Sequence, residues 1–141
     1  MSLEKNKAFV RRFVEEVLNR GKLDLIPVFV AVDCVEHIPT IGRGVGCEAV
    51  KQTYAILLGA FPNMRFTIED MVAEGDKVAW RWTMHGTHKG VYLGVQPTER
   101  YIVAHGAGFE RVAGDKIIER WAIMPEAELL RQIGALHFIT V

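Results

Sequence analysis

The sequence predicts an α+β protein in which a curved antiparallel sheet wraps around N-terminal helices. Helix-like periodicity is concentrated in the first part of the chain, whereas the later segments are long and rich in β-branched and aromatic residues. Helices and strands that are segregated along a chain are typical of α+β proteins. A sheet closed on one side by helices leaves a cone, and its open end is a natural ligand site.

Helices are predicted before the main strands begin. In the first helix, Phe9, Phe13 and Val17 recur every four residues, which is the spacing of one helix face. A short second helix and a longer third helix are predicted over about 24–30 and 47–60.

The strands are predicted from β-branched and aromatic runs that are separated by turn signals. Gly75-Asp76 and Gly114-Asp115 mark two tight hairpins. The predicted strands are an extra strand at 32–38 and a meander at 65–74, 77–88, 100–112 and 116–124. The link at 89–99 contains glycines that would let it cover a pocket, and a last short helix is predicted over about 126–136.

Composition excludes several classes of function. The chain has 17 basic and 17 acidic residues, so no basic field collects phosphates and we expect no nucleic-acid partner. No apolar run approaches the ~20 residues of a membrane span, and the start shows no apolar signal region. We therefore expect a cytoplasmic protein without membrane contact, a single domain over 1–141, and reduced thiols at Cys34 and Cys47.

Alternation along the strand at 77–88 places Trp80, Trp82 and Met84 on one face, which we assign to the inside. These large side chains are either core residues or the wall of an apolar pocket. In the strand at 116–124, parity does not choose between the face of Arg120 and the face of Trp121.

Neither face of the strand at 100–112 is strongly polar, which predicts a sheet covered on both sides and a homodimer through the sheet. His105 shares a face with Val103 and Phe109, so it is either a satisfied core histidine or a pocket acid/base. His37 lies at the end of the extra strand, where it is either solvated or at the mouth of the cone. The histidine spacing does not suit a metal site, and we expect no metal and no cofactor.

Motifs in a fixed order run through nearly the whole chain. They are NKAFVRRF (6–13), GKLD (21–24), VEH (35–37), FPNMRF (61–66), VAEGDKVA (72–79), GTHKG (86–90), LGVQPT (93–98) and GDKIIERW (114–121). This ordered set resembles the SnoaL-like polyketide cyclases. The resemblance implies a cystatin-like cone with one central pocket, shared with nuclear transport factor 2 and ketosteroid isomerase. It also implies acid/base chemistry without metal or cofactor.

The resemblance further implies a pocket aspartate after the tryptophan of the last strand. Ala122 stands at that position, and Pro125 stands at a second position that is often acidic. The expected catalytic residues are therefore His105 as acid or base, with Arg120 or His37 polarising a carbonyl. The expected substrate-binding residues are Tyr54, Trp80, Trp82, Met84, His88, Trp121 and Met124.

Two functions are expected from these residues. The first is a cyclase or isomerase that acts on a small apolar carbonyl compound. The second is a non-catalytic binding protein of the same fold, which Ala122 favours. Epoxide hydrolysis ranks last, because it needs an Asp-Arg-Asp constellation and parity places no acidic pair beside Arg120.

Overall fold

A computed structural model describes residues 2–39 and 42–137. The helices are α1 Leu3–Arg12, α2 Ile26–Phe29, α3 Cys47–Ala60 and α4 Glu126–Gln132. The strands are β1 Val30–Ile38, β2 Gly42–Val45, β3 Arg65–Glu74, β4 Lys77–Thr87, β5 Tyr101–Ala113 and β6 Lys116–Ile123. A π-helical segment, Phe13–Leu18, continues α1, and a 3₁₀ turn, Leu23–Leu25, precedes α2.

The six strands form one open sheet in the order β2-β1-β6-β5-β4-β3. Strands β3 to β6 form the antiparallel meander that the sequence predicts. The sheet is nevertheless mixed, because β1 pairs in parallel with β6. Parallel neighbours need a long crossover connection, which here is all the chain between β1 and β6. The α+β class is confirmed, and the expectation of a wholly antiparallel sheet is corrected at this one pairing.

The N-terminal helix buries its apolar face against the inner face of the sheet. Ser2 caps α1, since its Oγ accepts the backbone N–H of Lys5 at 3.0 Å. Phe13 and Val17 are fully buried, as their spacing predicts, and Phe9 of the same predicted face is partly buried. The helices therefore fill the concave side of the sheet.

Two tryptophans of β4 account for the small residues of β5. Trp80 and Trp82 are buried on the inner face, as predicted. A Cβ on Gly106 would lie 2.3 Å from Cζ2 of Trp82, and one on Gly108 would lie 2.7 Å from Nε1 of Trp80. The inner face of β5 is therefore small because the indoles of the neighbouring strand occupy the space above it.

The link between β4 and β5 is held at both ends. The His88 backbone N–H donates to the Arg100 carbonyl at 2.9 Å, and Nδ1 of His88 accepts the Thr98 N–H at 3.1 Å. Gly90 packs against the end of α3, where the Ala60 carbonyl accepts its N–H at 3.1 Å. The link thereby lies against α3.

In the described part of the chain, no helix has the length and apolar character needed to span a bilayer.

Candidate functional site

A buried ion cluster lies at the centre of the inner face. The register pairs Glu36 of β1 and Glu110 of β5 with Arg120 of β6 from opposite sides. The guanidinium donates from Nη1 to Glu36 Oε2 at 2.6 Å. It also donates from Nε and Nη2 to the two oxygens of Glu110, both at 3.0 Å. The three residues are at most 3% exposed, so this is an acid–arginine–acid cluster shielded from water.

Neutral side chains complete the hydrogen bonds of this cluster. Trp80 donates from Nε1 to Glu110 at 3.2 Å, and the Tyr54 hydroxyl accepts from Arg120 at 2.6 Å. Thr53 of α3 lies 2.7 Å from Glu36, between Oγ1 and Oε1. The cluster therefore ties β1, β4, β5 and β6 to α3.

The surroundings of the cluster shift the pKa values of its members. Burial raises the pKa of the Tyr54 phenol to about 12, although Arg120 opposes the rise. Burial would lower the pKa of Arg120, but the charge of Glu110 and its hydrogen bonds to the guanidinium raise it well above its ordinary value. Arg120 is thus a permanent cation and Tyr54 a neutral phenol at neutral pH.

A mostly apolar cavity lies beside this cluster. Its volume is about 240 Å³, and its lining is Thr53, Ile56, Leu57, Tyr92, Leu93, Met124 and Glu126. These residues come from α3, the link before β5, the segment after β6 and the start of α4. Thr53 is shared by the cavity and the cluster, because it lines the first and contacts Glu36 of the second.

Glu126 is the carboxylate on the lining of this cavity. It is the first residue of α4 and directly follows Pro125. Burial, and after it the negative charge of Glu126, raises the pKa of the Tyr92 phenol. The cavity therefore combines a carboxylate and a hydroxyl, from Glu126 and Thr53, with apolar walls.

Three expected site residues lie on the other face of the sheet. The His105 side chain is 64% exposed, and its Nδ1 lies 2.7 Å from Glu128 of α4. His37 stacks on Trp121 with ring centroids 5.2 Å apart. The expected pocket position of His105 is wrong, because the inner parity of β5 belongs to its small residues. His37 and Trp121 likewise face away from the cavity, because Arg120 takes the inner parity of β6.

The remaining expected residues divide among the cluster, the core and the cavity. Arg120, Tyr54 and Trp80 meet in the ion cluster. Trp82 and Met84 are buried in the hydrophobic core. His88 is fully buried and holds Thr98 of the link, and Met124 lies on the cavity wall.

Sequence reasoning missed the acidic groups of the interior. It found no acidic pair beside Arg120, whereas the structure supplies Glu36 and Glu110. Alternation along β5 places Glu110 on the inner face once that face is known. The pairing of β1 with β6, which brings Glu36 to Arg120, leaves no signal in the sequence of either strand. Ala122 lies two residues after Arg120 on the same inner face and is buried, so this position is apolar here.

The chain is similar to known proteins in both sequence and fold. The family model for SnoaL-like polyketide cyclases matches residues 8–133. AclR from Streptomyces galilaeus, a proposed hydroxylase, is 28% identical with a TM-score of 0.86, over 99% of this chain and 87% of that one. IdmH from Streptomyces antibioticus, a proposed polyketide cyclase, is 29% identical with a TM-score of 0.80, over 92% and 98%.

A proposed SnoaL-like polyketide cyclase from Jannaschia has a TM-score of 0.86, over 95% of this chain and 94% of that one. It is 20% identical and shows the likeness of fold alone. No curated protein matches the sequence.

Proposed function

The chain belongs to the SnoaL-like polyketide cyclase family, and we propose that it performs acid/base chemistry on a small apolar carbonyl compound in the cavity. One observation carries this proposal. The cavity brings Thr53 and Glu126 together on an otherwise largely apolar lining. Proton abstraction beside a carbonyl needs a base for the carbon and a donor for the oxygen that becomes negative.

Glu126 is the proposed base. Its carboxylate takes the proton from the carbon next to the carbonyl, and Thr53 donates a hydrogen bond to the carbonyl oxygen. Side chains such as Leu57, Leu93 and Met124 hold the apolar part of the compound. A positioned base of this kind contributes about 10²–10⁴-fold to the rate.

Arg120 is proposed as a positioning residue rather than as the group that polarises the carbonyl. It makes four hydrogen bonds, to Glu36, Glu110 and Tyr54, and it does not line the cavity. Through Glu36 it fixes the place of Thr53. The cluster thus supports the donor side of the cavity.

The size of the cavity limits the ligand. A volume of about 240 Å³ lies just below the range of about 300–1,000 Å³ that is usual for ligand pockets. The compound is therefore small when the link before β5 is closed. Most of the lining is apolar, which favours an uncharged ligand.

Two other functions each have an observation in their favour. A binding protein without catalysis is favoured by Ala122, which removes the acid/base group expected in the last strand. Epoxide opening is favoured by the glutamates that flank Arg120. In that cluster, however, both carboxyl groups already contact the guanidinium directly, and both are buried.

The test uses a reaction that does not need the natural substrate. A panel of small apolar ketones is screened by thermal shift, and each ligand is incubated with protein in D₂O. Deuterium incorporation beside the carbonyl is then followed by NMR. Glu126→Gln is expected to lower the incorporation rate at least about 10²-fold with little change in affinity.

His105→Ala is the control, because His105 lies on the outer face. It is expected to exchange deuterium like the wild type. Ligands that bind but never exchange in the wild type would favour the binding protein. Equal rates for the wild type and Glu126→Gln would overturn the assignment of the base.

We further propose that two copies associate through the outer face of the sheet. Tyr101, Phe109 and Ile123 are exposed there, and the zero formal charge of the chain gives little mutual repulsion. A dimer of twice 15.9 kDa is expected by sedimentation, and Phe109→Glu is expected to yield monomers. A wild-type monomer at micromolar concentration would contradict this.

The unpaired Cys34 and Cys47 support a cytoplasmic location.

A further inference from the structure

The ion cluster holds more acidic groups than basic ones. Glu36 and Glu110 share one guanidinium, and all three residues are buried. Burial raises the pKa of Cys34 and of Tyr54, each to about 12, so neither neighbour adds a charge at neutral pH. With both carboxyl groups ionised, the cluster would carry one uncompensated negative charge. A buried charge of that kind is costly, and one bound proton removes it.

The hydrogen bonds select the group that can hold this proton. Both oxygens of Glu110 accept N–H groups, from Arg120 Nε at Oε2 and from Arg120 Nη2 and Trp80 Nε1 at Oε1. N–H donors cannot accept a proton in return. Glu36 differs, because its Oε1 contacts the Thr53 hydroxyl, which can accept as well as donate.

The Thr53 hydroxyl has two partners but one proton. Its Oγ1 lies 2.7 Å from Glu36 Oε1 and 3.2 Å from the Ala49 carbonyl. With a proton on Oε1, Glu36 donates to Thr53 and Thr53 donates to Ala49. All contacts are then hydrogen bonds at once, and the cluster is neutral. With Glu36 ionised, one of the two contacts of Thr53 lacks a proton.

We propose that Glu36 is kept as a neutral carboxylic acid whose proton reaches the cavity through the Thr53 hydroxyl. The donor role of Thr53 rests on the proposed function, whereas the protonation of Glu36 does not. As Glu126 takes the carbon-bound proton, the Thr53 hydroxyl turns from the Ala49 carbonyl to the ligand, gives its proton to the carbonyl oxygen and receives the proton of Glu36. Glu36 ends as a carboxylate beside Arg120, Glu126 ends protonated, and the ligand ends as an enol.

Infrared spectroscopy tests the protonation directly. A protonated carboxyl group has a C=O stretch that is separate from that of a carboxylate. We expect this band in the wild type at pH 7, its loss in Glu36→Gln, and its retention in Glu126→Gln as the control. Absence of the band in the wild type, or its persistence in Glu36→Gln, would overturn the protonated state.

A matched pair of amide variants gives a second measurement. In Glu36→Gln the side-chain amide can donate to Thr53 and accept from Arg120 as the neutral acid does, so the unfolding equilibrium constant should change less than about threefold. Glu110→Gln replaces an ionised partner by a neutral amide, and the unfolding equilibrium constant should rise about 10²-fold or more. Equal effects of Glu36→Gln and Glu110→Gln would contradict the assignment of the proton to Glu36.

Thr53→Val tests the connection to the cavity. It keeps the shape of the side chain and removes the hydroxyl. Deuterium incorporation should fall at least about tenfold, and the infrared band of Glu36 should shift because its acceptor is gone. Incorporation at the wild-type rate would overturn the relay. A protein that shows the band but exchanges no ketone would contradict the proposed function and leave the protonated Glu36 supported.

Discussion

Glu36 and Arg120 lie directly opposite each other where β1 runs parallel to β6, with 2.6 Å between Oε2 and Nη1. Glu36 and Arg120 are 84 positions apart in the sequence, so this contact joins two strands that are distant along the chain. Glu110 binds the same guanidinium from β5. The strands at the centre of the sheet are thus joined through one shared guanidinium as well as by backbone hydrogen bonds. The cavity takes one of its polar groups, Thr53, from the edge of this network.

Removal of the shared cation should be severely destabilising. Arg120→Met leaves two buried acidic residues without their partner, and we expect a loss of about 3–5 kcal/mol in the free energy of unfolding, measured in urea. Arg81→Met is the control, because the Arg81–Asp70 pair is 4.0 Å apart and both side chains are 65% exposed. Its effect should stay within about 0.5 kcal/mol. Similar losses in both variants would contradict a structural role for the cluster.

The contact between Gly106 and Trp82 predicts the effect of a single methyl group. Gly106→Ala would place a Cβ 2.3 Å from the indole, so we expect about 1–3 kcal/mol of destabilisation by overpacking. Gly59→Ala is a matched substitution within α3, where no atom outside the adjoining residues and the backbone of the helix itself lies within 4 Å of the added Cβ. Helix propensity should make it neutral or stabilising by up to about 1 kcal/mol. Denaturant unfolding of both variants tests this, and a tolerated Gly106→Ala would refute the packing.

Gly90 holds the link before β5 against α3. A Cβ there would lie 2.0 Å from the Gly59 carbonyl oxygen, so Gly90→Ala should lift the link and break the bonds of Lys89 and Gly90 to Ala60. We expect faster amide hydrogen exchange over 89–95 and at least about tenfold weaker ketone binding, because Tyr92 leaves the cavity wall. Lys89→Ala removes only an exposed ion pair with Glu99 and should leave both unchanged. Unaltered exchange in Gly90→Ala would show that the link is not held there.

Stability should fall in acid through Glu119 on the outer face. Hydrogen bonds from His37 and then from Arg111 lower the pKa of Glu119 below its ordinary value of 4.5. A carboxyl whose pKa is lower in the folded state contributes stability above its unfolded value and loses it as pH falls through its folded value. The difference in unfolding free energy between the wild type and Glu119→Gln should therefore be present above pH 4.5 and shrink below it. Urea unfolding across this pH range measures the difference between the two proteins. A difference that grows as the pH falls would contradict the lowered pKa of Glu119.

Local patterns predicted the elements well. The third helix was predicted over 47–60, and α3 has these bounds. The hairpins at Gly75 and Gly114 also join the predicted strands. Spacing of apolar residues and turn chemistry act over a few residues, so the sequence displays them directly.

The faces of β5 were harder to assign for a physical reason. Its inner residues are small because Trp80 and Trp82 of β4 fill the space, and its outer face carries the larger Phe109. The apolar neighbours of His105 on its face therefore pointed the wrong way, and His105 was expected inside. The acidic cluster was missed because its members meet through register between distant strands, which the sequence of one strand does not contain.

The position of a bound ketone shows whether the cavity between α3 and α4 is the ligand site. Methionine methyl groups labelled with ¹³C report on two separate surfaces, because Met124 lines the cavity and Met71 lines an open groove between α1 and β3. On addition of a ketone that exchanges deuterium, we expect a shift of the Met124 methyl signal and none for Met71. A shift confined to Met71, with Met124 unchanged, would contradict the assignment of the cavity as the site.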